Sequence, residues 1–194
     1  MARPQAADYE DRKRLIVDQA ARLFAAQSFL GTSITDIAEA CNFSKGLMYH
    51  YYRSKEELLA AVMASHIDRL VELIEEARAS QGSTAERLNG LLQSFMAEYV
   101  EAAPKQKVLL YEMGHLPEAE RHAIITKQRA IVEFVESLVI EVHPEVDDDP
   151  GKARAMTMLL FGMINWTSNW YDPKGPITPA EIADMAAALI LKEG

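Results

Sequence analysis

The sequence predicts an all-α protein of about nine helices, with a small domain over residues 1–53 and a larger one over residues 54–194. Apolar residues recur every three to four positions in most segments between polar breaks, which is the period of a helix. Glycine and proline, with 9 and 8 copies in 194 residues, lie mostly outside those segments. No segment gives a convincing strand, and no internal repeat is present.

Three helices are predicted in the N-terminal domain. Apolar positions at helical spacing place the first over residues 9–27. Ser33 and Ser44 carry side-chain oxygens that cap helices, so each is expected to begin a short helix, the second ending near Tyr51. Asn42 lies between these helices and tolerates the left-handed conformation of a tight turn. The order predicts a helix-turn-helix with the first helix packed across it.

Six further helices are predicted in the C-terminal domain. Their boundaries are capping residues, prolines and polar breaks: Ser54 with Glu57, residues 80–84, Pro104, Pro117, residues 147–151, residues 172–176 and Thr178.

The last two predicted helices are unusually apolar. Residues 153–170 are apolar on more faces than the core of one chain needs, and residues 179–191 offer alanines for close helix packing. We predict that they form the seam of a homodimer, two helices from each subunit, with Leu160 and Ala187 buried in it. The alternative is that both helices are buried within a single chain.

Charge is distributed unevenly along the chain. The net charge is −9, which by itself argues against a nucleic-acid partner. Residues 1–60 hold eight basic and eight acidic side chains, whereas residues 61–194 hold twelve and twenty-one. The acidity therefore belongs to the C-terminal part, and the N-terminal part can still present a local basic face. The single cysteine, Cys41, excludes an intramolecular disulfide and fits a cytoplasmic location.

The segment SKGLMYHYYRSKEEL, residues 44–58, concentrates aromatic and basic side chains. In a helix-turn-helix, Met48 and Tyr52 face the core, whereas Lys45, Tyr49 and His50 point away from it. Lys55, at the start of the fourth helix, can face a backbone phosphate. Outward donors suit base edges, and outward charges and hydroxyls suit phosphates. Three short helices with a polar turn also occur in proteins that touch no DNA, so spacing alone leaves the function open.

Residues 16–58 resemble the N-terminal domain of the TetR (tetracycline-repressor-like) transcriptional regulators. The resemblance is carried by Ala20-x-x-Leu23-Phe24, by TSITDIA over residues 32–38, and by FSKGLMYHYY followed by x-Ser54-Lys55-x-x-Leu58. It implies a dimer that binds a palindromic operator and an effector pocket in the C-terminal helical domain. Nine positions match the family's DNA-contacting residues: Ser33, Thr35, Lys45, Gly46, Leu47, Tyr49, His50, Tyr51 and Lys55.

Two positions depart from the family pattern, because Ser28 and Asn42 stand where it usually has glycine. Asparagine is a mild replacement in a left-handed turn, whereas Ser28 is expected to shift the angle between the first two helices.

A second, weaker resemblance covers residues 158–182, which are similar to C-terminal segments of acyl-CoA-responsive TetR-type regulators of catabolic pathways. It implies a small hydrophobic effector of the acyl-CoA or aryl-CoA class. Other groups of the family also carry tryptophans here, so a generic hydrophobic effector stays open. The residues best suited to the pocket are Tyr111, Met163, Asn165, Trp166 and Trp170.

The sequence therefore predicts a cytoplasmic, ligand-responsive repressor that binds double-stranded operator DNA, needs no cofactor and is not an enzyme. No nucleotide-binding glycine motif or zinc-protease motif is present, and no apolar run approaches the roughly 20 residues that span a bilayer. Two other readings remain. One is a metal-dependent enzyme built on His115, Glu118 and His122. The other is a helical adaptor that binds no DNA.

Overall fold

A computed structural model describes the backbone of residues 3–191 and the side chains of residues 8–149 and 151–191. Over this range the chain forms nine α-helices and three short 3-10 turns, and no strand, which confirms the all-α class. The helices are α1 (Arg3–Gly31), α2 (Ile34–Ala40), α3 (Lys45–Tyr51), α4 (Lys55–Ala79), α5 (Thr84–Glu101), α6 (Ala103–Tyr111), α7 (Glu118–Val142), α8 (Pro150–Trp166) and α9 (Pro179–Leu191). None of these described helices is long and apolar enough to cross a membrane.

The predicted capping residues set the helix starts. Ser33 Oγ accepts a hydrogen bond from the Asp36 amide at 3.1 Å, and Asp36 Oδ2 accepts one from the Ser33 amide at 2.8 Å. The bond from the Ser33 amide, followed by the contribution of the Ser33 hydroxyl, holds the pKa of the Asp36 carboxyl below its usual value. Ser44 Oγ accepts from the Leu47 amide at 3.2 Å and begins α3 in the same way.

Contacts divide the chain into two compact units. One contains the residues up to Ile67 together with Pro104–Ile124, and the other contains Asp68–Ala103 together with the residues from Ile125 on. These units follow contacts within the chain, and the functional domain boundary after residue 53 stays a prediction. The first half of α4 and all but the first residue of α6 are grouped with the three N-terminal helices in the first unit.

The second unit buries one face each of α8 and α9. Helix α9 packs against α5 and α8. Leu160 and Ala187 are only 0% and 2% exposed, so they belong to the chain's own core. The prediction that these two residues lie in a dimer seam is wrong, because a side chain covered by its own subunit has no surface left for a partner.

A different set of apolar side chains on α8 and α9 is exposed. On α8, Met158, Leu159 and Trp166 are 52%, 68% and 63% exposed. On α9, Met185 and Leu189 are 53% and 63% exposed. Their spacing places each group on one face of its own helix, and α8 packs against α9. We call these five exposed residues the apolar strip.

Helix α1 runs four residues beyond its predicted end and is kinked at Ser28. This serine has φ 66° and ψ 166°, a region of backbone space used almost only by glycine. Two hydrogen bonds hold the kink: Ser28 Oγ accepts from the Gly31 amide at 3.3 Å, and the Ser28 carbonyl accepts from Thr32 Oγ1 at 2.8 Å. The serine is thus a strained residue at the position where the resembling family has glycine.

Replacing Ser28 with glycine is expected to stabilise the protein. Relief of a strain of about 1–3 kcal/mol exceeds the extra chain entropy that glycine loses on folding, so the free energy of unfolding should rise by about 1 kcal/mol. Urea unfolding of the whole chain measures this change. Gln27→Gly, at the adjacent helical residue, is the matched control and should lower stability by about 1 kcal/mol. A Ser28→Gly protein less stable than the wild type would contradict the assigned strain.

Candidate nucleic-acid interface

The outward face of α3 is open at its amino end. Lys45 and His50 are exposed, and Tyr49 is 47% exposed. A Cβ atom added to Gly46 would meet nothing nearer than Ser44 Oγ, at 4.0 Å. The glycine therefore serves no packing need within the chain, and it leaves room for another molecule to approach the helix backbone.

The inward face of α3 is buried as predicted. Met48 and Tyr52 are 1% and 4% exposed, and Ile37 of α2 is fully covered. The turn between α2 and α3 is fixed by the left-handed Asn42, with φ 55°, and by the Phe43 amide, which donates to the Ala38 carbonyl at 2.8 Å. The two short helices are therefore held as one rigid helix-turn-helix.

The remaining predicted contacts of α2 and α3 differ in exposure. Ser33 and Thr35 are exposed at the start of α2, whereas Leu47 is half-buried. Tyr51 is also half-buried, and its ring stacks on Tyr9 of α1 with centroids 4.9 Å apart. Tyr9 was not predicted to belong to this site, because a contact between residues so far apart in sequence leaves no local signal.

Lys55 has an internal role at the start of α4. Its ammonium donates to the carbonyl oxygens of Phe29 and Thr32, both at 2.8 Å, and lies 4.2 Å from the centroid of the Phe29 ring. The charge therefore neutralises free carbonyls where α1 ends. An ammonium has three N–H donors, so one remains for an external acceptor.

The five residues predicted for an effector pocket are not enclosed together in one unit. Tyr111, in the first unit, is exposed and lines a cavity of about 320 Å³ beside Phe24 and Lys107. In the second unit Met163 and Asn165 are half-buried, whereas Trp166 and Trp170 are 63% and 54% exposed. Because Trp166 shares the α8 face of Leu159, its indole belongs to the apolar strip on the surface of the single chain.

The three residues of the metal-enzyme reading do not form a metal site. His115 stacks on Phe29 with ring centroids 5.0 Å apart, and its Nε2 lies 3.5 Å from a carboxylate oxygen of Glu112. Glu118 and His122 are exposed in α7. Within the residues that the structure describes, no group of three or more histidine, cysteine or acidic side chains could hold a metal ion.

Comparison with known families identifies both parts of the chain. Residues 16–62 match the family model described as "Bacterial regulatory proteins, tetR family". Residues 81–193 match the model described as "Tetracyclin repressor-like, C-terminal domain".

Relatives with known names or structures match over nearly the whole length. The HTH-type transcriptional repressor KstR2 of Mycobacterium tuberculosis H37Rv is 28% identical over 207 residues, which cover 97% of this chain and 98% of that protein. A TetR-family regulator from Bordetella parapertussis has a crystal structure with a TM-score of 0.89 and 34% identity, covering 92% and 93% of the two chains.

A third match is a structure of AibR in complex with isovaleryl coenzyme A and operator DNA. Its TM-score is 0.81 and its identity 26%, with 92% of this chain and 97% of that chain covered. The matched families consist of DNA-binding transcriptional regulators rather than enzymes. With both of its parts matched, the chain belongs to the TetR family of bacterial transcriptional regulators.

Proposed function

We propose that the chain is a cytoplasmic repressor that binds a palindromic operator as a homodimer and releases it when an effector binds. The observation that carries the proposal is the rigid helix-turn-helix, whose α3 presents Lys45, Tyr49 and the open position at Gly46 to the outside. The similarity to the repressor KstR2 over nearly the full length supports the direction of regulation.

On operator DNA the exposed face of α3 enters the major groove. Lys45 and His50 donate to base edges, which gives sequence preference. Tyr49 and the remaining donor of Lys55 contact phosphates, which gives affinity without preference. Gly46 lets the helix backbone approach the groove more closely than a larger residue would.

Replacing Gly46 with alanine tests the close approach of α3 to DNA, because the substitution should raise the stability of the free protein but lower its affinity for the operator. In the free protein a Cβ at this position meets open space, and alanine favours the helix by up to about 1 kcal/mol. On DNA the added methyl would separate α3 from the groove. We expect an unchanged or higher midpoint of urea unfolding together with operator affinity about tenfold lower in a gel-shift titration.

Gly90→Ala is the matched control, since a Cβ at Gly90 in α5 also has nothing within 4 Å. It should stabilise the chain similarly and leave operator affinity unchanged. Wild-type affinity in the Gly46→Ala protein would show that α3 does not approach DNA at this residue.

The homodimer seam that we propose is the apolar strip on α8 and α9. Exposed apolar patches of this kind mark interaction surfaces. In a two-fold dimer the same strip on both copies packs together and buries side chains such as Leu159 and Met185. The strip replaces Leu160 and Ala187 as the seam within the helices that the sequence indicated.

The effector that we propose is an acyl-CoA or aryl-CoA thioester. The similarity to AibR, whose structure contains isovaleryl coenzyme A, supports this class. Met163 and Asn165 are half-buried in α8 and combine an adaptable apolar group with a polar amide, so they are the favoured pocket residues. The effector acts by binding the conformation that cannot hold DNA more tightly than the one that can.

The test is a panel of acyl-CoA thioesters, the matching free acids and free CoA, each read by release of labelled operator. We expect a thioester to release the operator at a concentration at least about tenfold lower than its acid. Met163→Ala should weaken that response without weakening operator binding in the absence of effector. If thioesters act no better than free acids, the CoA class fails and a generic hydrophobic effector takes its place.

A further inference from the structure

We propose that a groove in the first compact unit, lined by α1, α4, Tyr52 and Lys105, is a second ligand site that binds a small organic carboxylate. The groove has a volume of about 440 Å³, which lies in the range of small-molecule sites. All of its lining residues belong to the first compact unit, which also contains the helix-turn-helix. The site therefore shares no residue with the proposed effector residues Met163 and Asn165, and it does not depend on them.

The hydroxyl of Tyr52 is the first observation. Tyr52 is 4% exposed, and among the described residues its hydroxyl is buried without a hydrogen-bond partner. Buried polar groups in folded proteins nearly always have a partner, so an unpartnered one calls for an explanation. An acceptor oxygen brought by a ligand would supply it.

The charges around the groove are the second observation. The ammonium of Lys13 lies 6.0 Å from the centroid of the Tyr52 ring. Besides Lys13, two cationic and two acidic side chains line the groove, so its lining carries one more positive than negative charge. Lys105 is paired with Asp18 at 2.7 Å and Arg14 is paired with Asp11. Lys13 is therefore the cation placed to meet a ligand at Tyr52. This balance favours a monoanion over a dianion such as a phosphate ester.

The shape and protonation of the groove agree with a carboxylate that carries a short apolar body. Val17, Ala61 and Ala64 give it an apolar wall. Burial raises the pKa of Tyr52 to about 12, so the phenol keeps its proton and can donate to a carboxylate oxygen. The half-buried side chain of Lys13 lies over the Tyr52 ring.

Binding at this site would act on the DNA interface directly. The Tyr52 amide donates to the Met48 carbonyl at 3.0 Å and ends α3. A carboxylate held between Tyr52 and Lys13 would therefore connect the end of α3 to α1. Because linkage is reciprocal, such a ligand and the operator must change each other's affinity by the same factor.

The experiment is calorimetric titration of the full chain with butyrate, hexanoate and benzoate, using butyramide, hexanamide and benzamide as neutral controls. At least one acid should bind in saturable fashion, and its amide should not. Tyr52→Phe removes only the hydroxyl and should raise the Kd of the acid by about 10- to 100-fold, as expected for a hydrogen bond to a charged group. Its melting temperature without ligand should be no lower than that of the wild type, because the hydroxyl has no partner to lose. Tyr171→Phe is the matched control and should bind as the wild type does.

Lys13→Gln gives an independent test at a half-buried side chain, and should raise the Kd by about tenfold. The proposal is overturned if no acid binds below about 10 mM, if amides bind as well as acids, or if both variants bind like the wild type. None of these results bears on the CoA thioester, because operator release by a thioester can be measured in the Tyr52→Phe protein.

Discussion

Leu159→Glu is expected to convert the proposed dimer into folded monomers and to lower operator affinity by about 100- to 10,000-fold. Leu159 is 68% exposed on α8, so a glutamate there costs the isolated chain little. In the proposed two-fold seam the same substitution buries a charge from each subunit, and burying one unpaired ion costs several kcal/mol. Operator affinity falls because two separate monomers lose the high effective concentration that a linked pair of helix-turn-helix domains has at the second half-site.

The measurements are light scattering at micromolar concentration, gel-shift titration and urea unfolding. Leu30→Glu is the matched control, because Leu30 is 74% exposed but belongs to α1 of the first unit and not to the apolar strip. It should remain dimeric. A Leu159→Glu protein that is folded and still dimeric would exclude the apolar strip as the seam.

Leu160→Glu separates the two faces of α8. Leu160 is fully covered by its own chain, so the glutamate would be buried in every assembly state. Its cost of several kcal/mol is a large part of the 5–15 kcal/mol that stabilises a typical domain. We expect this protein to unfold rather than to dissociate.

The difference between Leu159 and Leu160 explains why the sequence indicated two unusually apolar helices but not which face of α8 is buried. Residues 155–164 are apolar or small at almost every position, so periodicity cannot indicate which face of α8 points inward. That face is decided by where α5 and α9 lie, and no local pattern contains this information.

Helix starts were predictable because their cause is local. The pairing of Ser33 with Asp36 spans three residues, and the same spacing recurs at Thr178, whose Oγ1 accepts from the Glu181 amide at 3.2 Å. The exposed face of α3 was predictable for a similar reason, since Met48 and Tyr52 fix the inward side of a short helix. What these exposed residues bind remains a prediction.

In the first unit, Ser28 and Lys55 have features that the neighbouring sequence does not predict. Ser28 adopts a glycine-type conformation that its residue type disfavours, and only the hydrogen bonds around it keep it there. Lys55 binds carbonyls 23 and 26 residues away in sequence. From its position at the start of α4 we predicted that its charge faces a phosphate. In the structure two of the three N–H donors of the ammonium instead bind carbonyls of the same chain.

Lys55→Ala is expected to weaken both the fold and DNA binding. The substitution leaves the Phe29 and Thr32 carbonyls without their donor and removes a cation held over the Phe29 ring. Each charge-assisted bond contributes about 1.5–3 kcal/mol and the ring contact about 0.5–1 kcal/mol, and water replaces part of this. We expect the free energy of unfolding, measured in urea, to fall by about 2–4 kcal/mol.

The effect of Lys55→Ala on DNA is separable from its effect on stability, because both are measured on the same protein. If the third N–H donor contacts a phosphate, affinity falls alike for all sequences, and the salt dependence of binding weakens by about one unit even where the protein is fully folded. Lys45→Ala is the comparison: its side chain is exposed, so stability should change by less than about 0.5 kcal/mol while operator preference changes. An unchanged free energy of unfolding in Lys55→Ala would contradict the internal role. Undiminished binding by the folded variant would instead remove Lys55 from the interface and leave it as the residue that holds the end of α1 to α4.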